Sequence, residues 1–514
     1  MMTSSRPESV ELPYTGAEYL DSLKDGREVW IGGERVEDVT AHPAFRNNAG
    51  TIARLYDSLH DPATSKKLIV PTDTGNGGFT HPYFKAPRSV EDLRAGVEAM
   101  TEWSRMTYGW VGRTPDFKAA FLSTLGSNGD HYAPFEHNAA NWYRKAQEKV
   151  MFIGHGIVNP PIDRHRGMTE HKDVYLTVDR ETDAGIFVSG AKVVGTGAAV
   201  TQHIFVGSYA RIPENGKEFS AFFIVPMNAS GLKIISRRSY EQVAAATSTP
   251  FDQPLSSRFD ENDGILVFDQ VFVPWEDVFC YDVEKANNFF VGSGFFYRAM
   301  LHACVRFAVK LDFLTGLLAK GLDTTGTLDY RGVQGRLGEV LSYRSVFWGL
   351  IDSMVHNPTP WPDGTLAPNG ETAMAFRVLA TSLYPKIKEI FYKDLGSALI
   401  YNNSAAADWG VPELRPYLDK YIRGRGVPAQ ERVKLMKLIW DAIGTEFGGR
   451  HELYEMNYAG NHEQIRFEVL QAQQATGKFD EYTALVDSCL SEYDVDGWKL
   501  PHLHGPKSPA LRGM

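Results

Sequence analysis

The period of the hydrophobic residues changes twice along this chain of 514 residues, and these changes restrict its fold more than any other feature. Before residue 150, apolar side chains such as Ile52, Leu55 and Leu59 recur at helical spacing. Between about residues 174 and 279, short β-branched and aromatic runs are separated by Gly, Asp and Asn turns, which predicts an antiparallel sheet or barrel. After about residue 284, helical periodicity returns in long blocks.

The order of these segments predicts three domains in an α+β fold that is mostly helical. We expect an N-terminal helical domain over residues 1–160, a middle β domain over 161–283 and a C-terminal helical bundle with a tail over 284–514. Successive amphipathic helices with short connections pack most simply as a bundle. With 43% hydrophobic residues, a chain of this length can bury a large core.

Charge and composition argue against several classes of protein. A net charge of −10 disfavours a nucleic-acid partner, because phosphate binding needs a concentrated basic surface. The sequence has no apolar stretch long enough for a membrane span and no signal-peptide pattern, so we expect a cytoplasmic protein. The three cysteines lie far apart without a CxxC pair, which fits a reducing compartment.

Familiar cofactor and metal motifs are incomplete in this sequence. The segment GTGAAV, residues 195–200, begins like a dinucleotide-binding fingerprint but has Val200 at the third glycine position. No histidine follows a glutamate by three residues, as a di-iron bundle would need. The segment HELYE, residues 451–455, resembles the zinc motif HExxH but has Glu455 in place of the second histidine. We therefore expect no metal site.

Polar side chains in three other segments are candidate site residues. Arg113 lies in an extended stretch ahead of Pro115, from which its guanidinium can point into a cleft. A local ion pair with Asp116 fits the sequence equally well. His155 lies between small residues and His302 lies in a hydrophobic helical stretch. For both histidines, a hydrogen-bonded structural role is the alternative interpretation.

Six blocks of sequence resemble, in the same order and spacing, the 4-hydroxyphenylacetate 3-hydroxylase oxygenase family. The blocks are EYLDSLKDGREVWIGGERVEDVTAHPAFRN, GRTPDF, NPPIDR, RETDAGIFVSGAKVVGTG, PLSSRFDENDGILVFDQVFVPWEDVF and FGGRHELYEMNYAGNHE. Together they cover nearly the whole chain. The chain is most similar to the branch that acts on coumarate, tyrosine-like or carrier-tethered tyrosyl substrates, with nitrophenol and chlorophenol hydroxylases as more distant relatives.

The resemblance implies an acyl-CoA-dehydrogenase-like fold, with a middle β-barrel and a C-terminal four-helix bundle, assembled as a homotetramer. It also implies FAD that arrives reduced from a separate NAD(P)H-dependent flavin reductase. In the family, reduced flavin and dioxygen form a C4a-hydroperoxide that hydroxylates a phenolic ring ortho to its hydroxyl group. The implied substrate is a 4-hydroxyphenyl compound such as coumarate, hydroxyphenylacetate or a free or carrier-tethered tyrosyl group.

The resemblance further implies roles for individual residues. Arg113 and His155 would lie between flavin and substrate, where a histidine can share the phenol proton. His302 matches a base proposed in chlorophenol-type relatives. The implied substrate contacts, besides Arg113 and His155, are Phe117, Ser208 and Tyr209. The implied flavin contacts, besides the same two residues, are Pro161, Ile162, Asp163, Arg164, Thr196, Gly197, Gly448, Gly449 and Arg450.

Phe117 departs from the pattern of the family. The 4-hydroxyphenylacetate and coumarate enzymes have tyrosine at this position, whereas this chain has phenylalanine. A phenylalanine keeps an aromatic wall but loses a hydrogen-bond donor, and a typical hydrogen bond contributes about 0.5–1.5 kcal/mol. Either Arg113 and His155 recognise the phenol alone, or the substrate differs from a simple para-hydroxyphenyl acid.

Three other functions remain compatible with the sequence. An acyl-CoA-dehydrogenase-type flavoenzyme could use the same fold, and a nitrophenol or chlorophenol hydroxylase would belong to the same family. A non-catalytic flavin carrier would bind reduced FAD without forming a product. The related 4-hydroxybutyryl-CoA dehydratase needs several cysteines for an iron–sulfur cluster, which three scattered cysteines cannot easily supply.

Overall fold

The computed structural model describes residues 10–163, 165–503 and 505, and helices dominate both ends of that range. The helices before the middle β region are α1 (Gly16–Ser22), α2 (Arg46–His60), α3 (Val90–Met106), α4 (Pro115–Leu122) and α5 (Glu136–Lys149). Two short helices lie between the middle strands, α6 (Tyr240–Thr247) and α7 (Ser256–Phe259). The later helices are α8 (Val283–Asn287), α9 (Phe289–Gly292), α10 (Phe295–Thr325), α11 (Arg331–His356), α12 (Gly370–Leu395), α13 (Arg415–Tyr421), α14 (Ala429–Ile443), α15 (Glu446–Asn457), α16 (His462–Ala475) and α17 (Lys478–Ser491).

Two main sheets form the middle of the molecule. The strands up to residue 156 are β1 (Glu28–Ile31), β2 (Glu34–Val36), β3 (Val70–Pro71), β4 (Phe79–Thr80) and β5 (Ile153–Gly156). The later strands are β6 (Thr177–Thr182), β7 (Gly185–Thr196), β8 (His203–Val206), β9 (Ala221–Pro226), β10 (Leu232–Ser236), β11 (Asp263–Pro274), β12 (Val278–Tyr281), β13 (Thr359–Trp361), β14 (Thr365–Ala367), β15 (Tyr493–Asp494) and β16 (Gly497–Trp498). One sheet has the order β2-β1-β10-β11-β7-β6 and the other the order β12-β9-β8-β5.

The predicted antiparallel pairing is confirmed for the strands between residues 177 and 281. Two parallel pairs were not predicted, because their first strands lie outside that segment: β1 pairs with β10, and β5 pairs with β8. The sequence of β5 is IGHG, which is too short and too rich in glycine to show alternation. Because β1 and β5 belong to the first 160 residues and join the middle sheets, the three domain boundaries stay a prediction.

The long antiparallel pair of β7 and β11 ends where the two sheets approach the helices. In its register Thr196, the last residue of β7, lies opposite Asp263, the first residue of β11. The hydroxyl of Thr196 donates a hydrogen bond of 2.6 Å to the Asp263 carboxylate. The strand ends therefore present two connected polar side chains to the helical part of the molecule.

Helix α10 is the central element of the C-terminal bundle. It packs against α11, α12 and α14, and on its other side against α3 and α4. Every residue from Arg298 to Leu311 is buried, as is typical of a helix surrounded on all sides. Within the described part of the chain, none of the helices combines the length and apolar character of a membrane span.

A buried cluster of charges joins α10 to α15. The Glu455 carboxylate accepts two hydrogen bonds of 2.6 Å from Arg306 and one of 2.5 Å from Lys310. Arg306 also donates to the carbonyl of Gly109, which precedes α4. A Cβ atom at Gly109 would lie 2.7 Å from the Lys310 backbone nitrogen, so that position, with φ of +74°, requires glycine. The cluster thus holds the loop of residues 109–114 against the bundle.

The pKa values in this cluster show which charges are permanent. Burial alone would raise the pKa of Glu455, but Arg306 and Lys310 outweigh burial and lower that pKa to about 2. Burial lowers the pKa of Lys310 to about 8 although Glu455 opposes this shift. Because Arg306 binds Glu455 through two hydrogen bonds and keeps its proton, Glu455 is ionised whatever the state of Lys310.

We expect Glu455→Gln to lower the apparent free energy of unfolding by about 3–5 kcal/mol, because it leaves two buried cations without a counter-ion. The folded-state pKa of about 2 is below the value of about 4.3 usual for the unfolded chain, so the contribution is present above that unfolded value and is lost as the pH falls towards the folded one. Guanidinium denaturation at several pH values measures both effects. The matched control is Glu389→Gln, which removes an exposed pair with Lys393 and should leave the midpoint unchanged.

Candidate active site

A cavity of about 680 Å³ lies where the ends of β5, β7 and β11 meet α4, α10, α12 and α15. This volume is within the range of small-molecule and cofactor sites. Aromatic and aliphatic side chains form most of its wall. The titratable side chains of the wall are Arg113, Lys118, His155, Tyr209, Asp263, Arg377, Arg450, Tyr454 and Tyr458.

Arg113 is held by groups from three directions. Its backbone N–H donates to the carboxylate of Glu261, and its Nη1 donates a hydrogen bond of 2.7 Å to the Tyr454 hydroxyl. Its guanidinium lies 4.2 Å from the centre of the Phe117 ring and 5.2 Å from that of Tyr458, both within cation–π distance. The Nε atom of Arg113 is buried and has no hydrogen-bond partner in the described residues. The Nε atom is thus a donor on a cavity residue that no described group satisfies.

His155 lies on β5 and faces the same part of the cavity. Its ring centre is 5.4 Å from that of Phe117, and its buried Nδ1 atom has no partner among residues 10–163, 165–503 and 505. Burial lowers the pKa of His155 well below its usual value, and positive charge at Lys118 and Arg113 lowers it further. The imidazole is therefore neutral at pH 7 and can accept a hydrogen bond or a proton.

His302 does not line the cavity, although it was a predicted catalytic residue. It lies on α10 behind the ring of Phe117, at 5.5 Å between ring centres, and is almost fully buried. Its Nε2 atom is 3.3 Å from the Asp116 carboxylate, which also accepts a hydrogen bond from Thr114. Asp116 is thus oriented towards His302 and away from the local pairing with Arg113 that the sequence left open. The geometry favours the structural interpretation of His302.

Helix α15 and the residue that follows it contribute a row of polar side chains to the cavity. Arg450 and Tyr454 on the helix and Tyr458 at its C-cap follow one another at intervals of four residues. Arg450 donates to both carboxylate oxygens of Asp263, at 2.7 and 3.0 Å. Burial acts to raise the pKa of Asp263, but Arg450, with help from Arg237, holds it well below its usual range. The Nη1 atom of Arg450 is buried, makes no hydrogen bond within the described chain and lies 3.6 Å from the Glu261 carboxylate.

Tyr209 and Arg377 form the opposite side of the cavity. Tyr209 is half exposed, and its hydroxyl accepts a hydrogen bond of 3.2 Å from Arg377. Arg377 is buried and also donates to the carbonyl of Ala459. Ser208 is buried, and its hydroxyl donates to the carbonyl of Ala210 outside the lining of the cavity. Of the two predicted loop residues, the structure brings Tyr209 to the cavity.

Of the predicted flavin contacts other than Arg113 and His155, some line the cavity and others do not. Thr196 and Arg450 line the cavity. Gly197 lies next to Arg113, since a Cβ atom there would be 3.8 Å from the Cβ of Arg113, but it is not part of the lining. The other described residues of this group are outside the lining: Pro161, Ile162, Asp163, Gly448 and Gly449. Arg164 lies outside the described residues.

The sequence reasoning missed several residues of the wall. Tyr454 and Tyr458 had a usable signal, because both follow Arg450 at helical spacing within one quoted block. Asp263 also lay in a quoted block, but its partners come from β7 and α15. Lys118 and Arg377 had no signal, because a charged residue in a sequence predicts an exposed side chain.

The fold and the cavity together define the structural class of this protein. A helical segment, two mainly antiparallel sheets and a helical bundle, with a cationic and aromatic cavity where they meet, make up an acyl-CoA-dehydrogenase-like fold. Two family models cover nearly all of the chain: 4-hydroxyphenylacetate 3-hydroxylase N terminal over residues 15–280, and 4-hydroxyphenylacetate 3-hydroxylase C terminal over residues 286–490. The chain belongs to the 4-hydroxyphenylacetate 3-hydroxylase family.

Characterised relatives include enzymes with different phenolic substrates. The oxygenase component of a Rhodococcus 4-nitrophenol 2-monooxygenase is 55% identical, over 96% of this chain and 95% of the relative. A Streptomyces globisporus monooxygenase of a chlorinated 3-amino-3-(4-hydroxyphenyl)propanoyl group on a peptidyl-carrier protein is 54% identical, over 96% and 93%. Nitrophenol hydroxylases are therefore no more distant than the carrier-dependent branch, in contrast to the expectation from the motifs.

Solved structures of the family have the same fold. The oxygenase component of 4-hydroxyphenylacetate 3-monooxygenase, in complex with FAD and 4-hydroxyphenylacetate, superposes with a TM-score of 0.86. The match covers 93% of this chain and 99% of the other, at 29% sequence identity. The predicted fold class and family are confirmed.

We expect His155 to stay neutral at pH 7 and to bind a proton only well below the ordinary histidine range, because burial and positive neighbours disfavour the imidazolium. An NMR titration of protein carrying carbon-13 at histidine Cε1 measures this pKa. The resonance of His155 is assigned by its absence from His155→Gln. A midpoint at or above about pH 6.5 would contradict the buried, neutral state described here.

Proposed function

We propose that this protein is the oxygenase component of a two-component flavin-dependent monooxygenase that hydroxylates a phenolic ring next to its hydroxyl group. One observation carries the proposal: Arg113, a guanidinium with a free donor, and His155, a neutral imidazole with a free nitrogen, converge on an aromatic-lined part of the cavity. A phenol presents one oxygen that can accept from the first group and one proton that the second can share. The relatives support the same chemistry, since both curated examples act on phenolic compounds.

The cavity fits FAD as the cofactor. Its volume of about 680 Å³ and its buried donors without partners, on Arg113 and Arg450, suit a large, flat ligand with many acceptor atoms. Arg450 and Thr196 would hold the flavin on the strand-end side of the cavity. When bound in reduced form, FAD supplies with dioxygen the electrophilic oxygen that this reaction needs. A separate NAD(P)H-dependent flavin reductase is the proposed source of the reduced cofactor.

The protein itself contributes orientation, proton control and exclusion of water. Arg113 would hold the phenol oxygen, and its own position is set by Glu261, Tyr454 and the ring of Phe117. His155 would share or remove the phenol proton, which raises electron density at the ortho carbon. Phe117 would form an apolar wall beside both groups and help to keep water away from the reacting ring.

A homotetramer is the proposed assembly. Helices α16 and α17 leave large apolar side chains exposed, and patches of this kind mark interaction surfaces. The exposed side chains are Phe467, Leu470, Phe479, Tyr482, Leu485, Val486 and Leu490. Location in the cytoplasm stays a prediction.

The test of this function is formation of a catechol. We expect purified protein, supplied with FAD, NADH and a flavin reductase, to add one oxygen to at least one para-substituted phenol, free or carrier-bound, as measured by mass. Arg113→Ala and His155→Ala should each lower product per NADH by about tenfold or more and raise release of hydrogen peroxide, because each removes a group that holds the phenol oxygen. If every phenol stays unchanged while the reduced flavin binds and consumes oxygen, the proposed function is wrong.

Phe117→Tyr tests how this chain departs from relatives with tyrosine. We expect simple 4-hydroxyphenyl acids to bind about two- to tenfold more tightly to the variant, because a hydroxyl group at this position adds one donor to the phenol site. Equilibrium binding of 4-hydroxyphenylacetate measures the change, with Phe121→Tyr, a buried ring outside the cavity wall, as the control. Equal affinity in Phe117→Tyr and the wild type would show that residue 117 does not set substrate choice.

A further inference from the structure

A lysine in the cavity wall has no counter-ion among the described residues, and this arrangement suggests a further reactive group. Lys118 follows Phe117 on α4, lines the cavity and has no exposed surface. Its Nζ atom makes no hydrogen bond within the described part of the chain. Charged groups are almost never buried without a partner, because the desolvation is not repaid. We therefore expect a ligand bound next to Lys118 to supply a negative charge.

Aromatic rings enclose the amino group of Lys118 on three sides. Its Nζ is 4.8 Å from the ring centre of Phe117, 4.8 Å from that of Phe295 and 5.3 Å from that of Phe205. These rings come from α4, α10 and β8 respectively. Such a cage stabilises a cation weakly through its π faces but accepts no hydrogen bond. Lys118 itself belongs to the wall of the cavity, next to Phe117 and Phe295.

In the described part of the chain, the charged or titratable groups that act on Lys118 or respond to it are Arg113 and His155. Burial lowers the pKa of Lys118 well below its usual value, and the positive charge of Arg113 lowers it further. His155 on β5 is close enough that Lys118 lowers the pKa of its imidazole. Without a ligand, Lys118 can thus exist as a neutral amine that accepts a proton.

We infer that Lys118 accepts the proton of the phenolic substrate, so that the substrate is held as a phenolate against the Lys118 ammonium. The phenol O–H bond breaks, a N–H bond forms on Nζ, and the electron pair stays on oxygen, so no oxidant or reductant is involved. Arg113 cannot take this proton because a guanidinium is always protonated. The inference rests on the proposed function, and it assigns the acceptor role to Lys118 while His155 keeps a hydrogen-bonding role.

The surroundings of the two groups favour Lys118 over His155 as the proton acceptor. Three aromatic rings lie within cation–π distance of the Lys118 amino group and can stabilise its ammonium form. Among the described residues, His155 has one aromatic ring beside it, that of Phe117. An ammonium also offers three donors to the phenolate oxygen, which Phe117 cannot offer.

This arrangement favours a class of substrate. Proton transfer to a buried amine becomes easier as the phenol becomes more acidic, so phenols with electron-withdrawing ring substituents should bind better than electron-rich phenols of the same size. The preference does not need a hydroxyl group at residue 117. We expect 4-nitrophenol to bind about tenfold or more tightly than 4-methylphenol. The 4-nitrophenol complex has one charge-assisted hydrogen bond that the 4-methylphenol complex lacks.

The experiment uses 4-nitrophenol as a coloured probe of its own protonation. At a pH below the pKa of the free probe, the free compound is colourless, and we expect binding to the wild-type protein to produce the yellow phenolate absorption. Lys118→Met, which keeps the length and apolar volume of the side chain, should abolish this absorption and weaken binding about tenfold or more. His155→Gln should retain the absorption. A phenolate band that persists in Lys118→Met, or is lost in His155→Gln alone, overturns the inference.

Two further measurements distinguish failure of the role of Lys118 from failure of the proposed function. Lys118→Met should raise the denaturation midpoint of the ligand-free protein, because it removes an unpaired buried amine; a lower midpoint would indicate a structural lysine and count against the inference. Turnover with FAD, NADH and a reductase is measured in parallel. If the wild type binds the phenolate but makes no catechol from any phenol, the proposed function fails while the role of Lys118 stands. If catechol forms and the bound probe stays colourless in the wild type, the role of Lys118 fails alone.

Discussion

The contact of Glu455 with Arg306 and Lys310 supports most of the candidate site. It joins α15 to α10, and α15 carries Arg450, Tyr454 and Tyr458 to the cavity. Through Arg306 and Gly109 it also positions the loop that presents Arg113. A buried charge cluster of this kind is costly to form, and its geometry is correspondingly hard to change. The candidate site is therefore built on this cluster, and the positions of α15 and of the loop that presents Arg113 depend on the Glu455 carboxylate.

The basic side chains of the cavity fall into two groups with different consequences. Arg450 faces Asp263 and Arg377 faces Glu468, so each has a counter-ion within the protein. Among the described residues, the side chains of Arg113 and Lys118 have no such carboxylate, and both lie beside Phe117. An arginine without a counter-ion stays charged and favours an anionic ligand, whereas a buried lysine can give up its proton until such a ligand binds. The proposed division of the cavity into a flavin side at the strand ends and a phenol side beside Phe117 follows this difference.

The family relationship limits the chemistry more than the substrate. Relatives of similar identity act on a free nitrophenol and on a chlorinated ring carried by a protein. Both names describe a monooxygenase that acts on a phenolic compound. In this chain the wall that would contact the rest of the ring includes Phe117 and the half-exposed Tyr209. Small changes in that wall can thus alter specificity while Arg113 and His155 stay in place.

The sequence by itself determined the order of helices and strands, because periodicity reports which face of each element is buried, and six ordered motifs determined the family. It also offered Arg113 and His155 as candidates, each with a structural alternative, whereas Phe117 was implied by the resemblance to the family. Only the tertiary structure decided that His302 lies behind Phe117 and that Lys118 has no counter-ion within residues 10–163, 165–503 and 505. The reason is physical: burial and pairing depend on residues that are far apart in sequence, such as Lys118 and Phe295, and no local pattern records their distance.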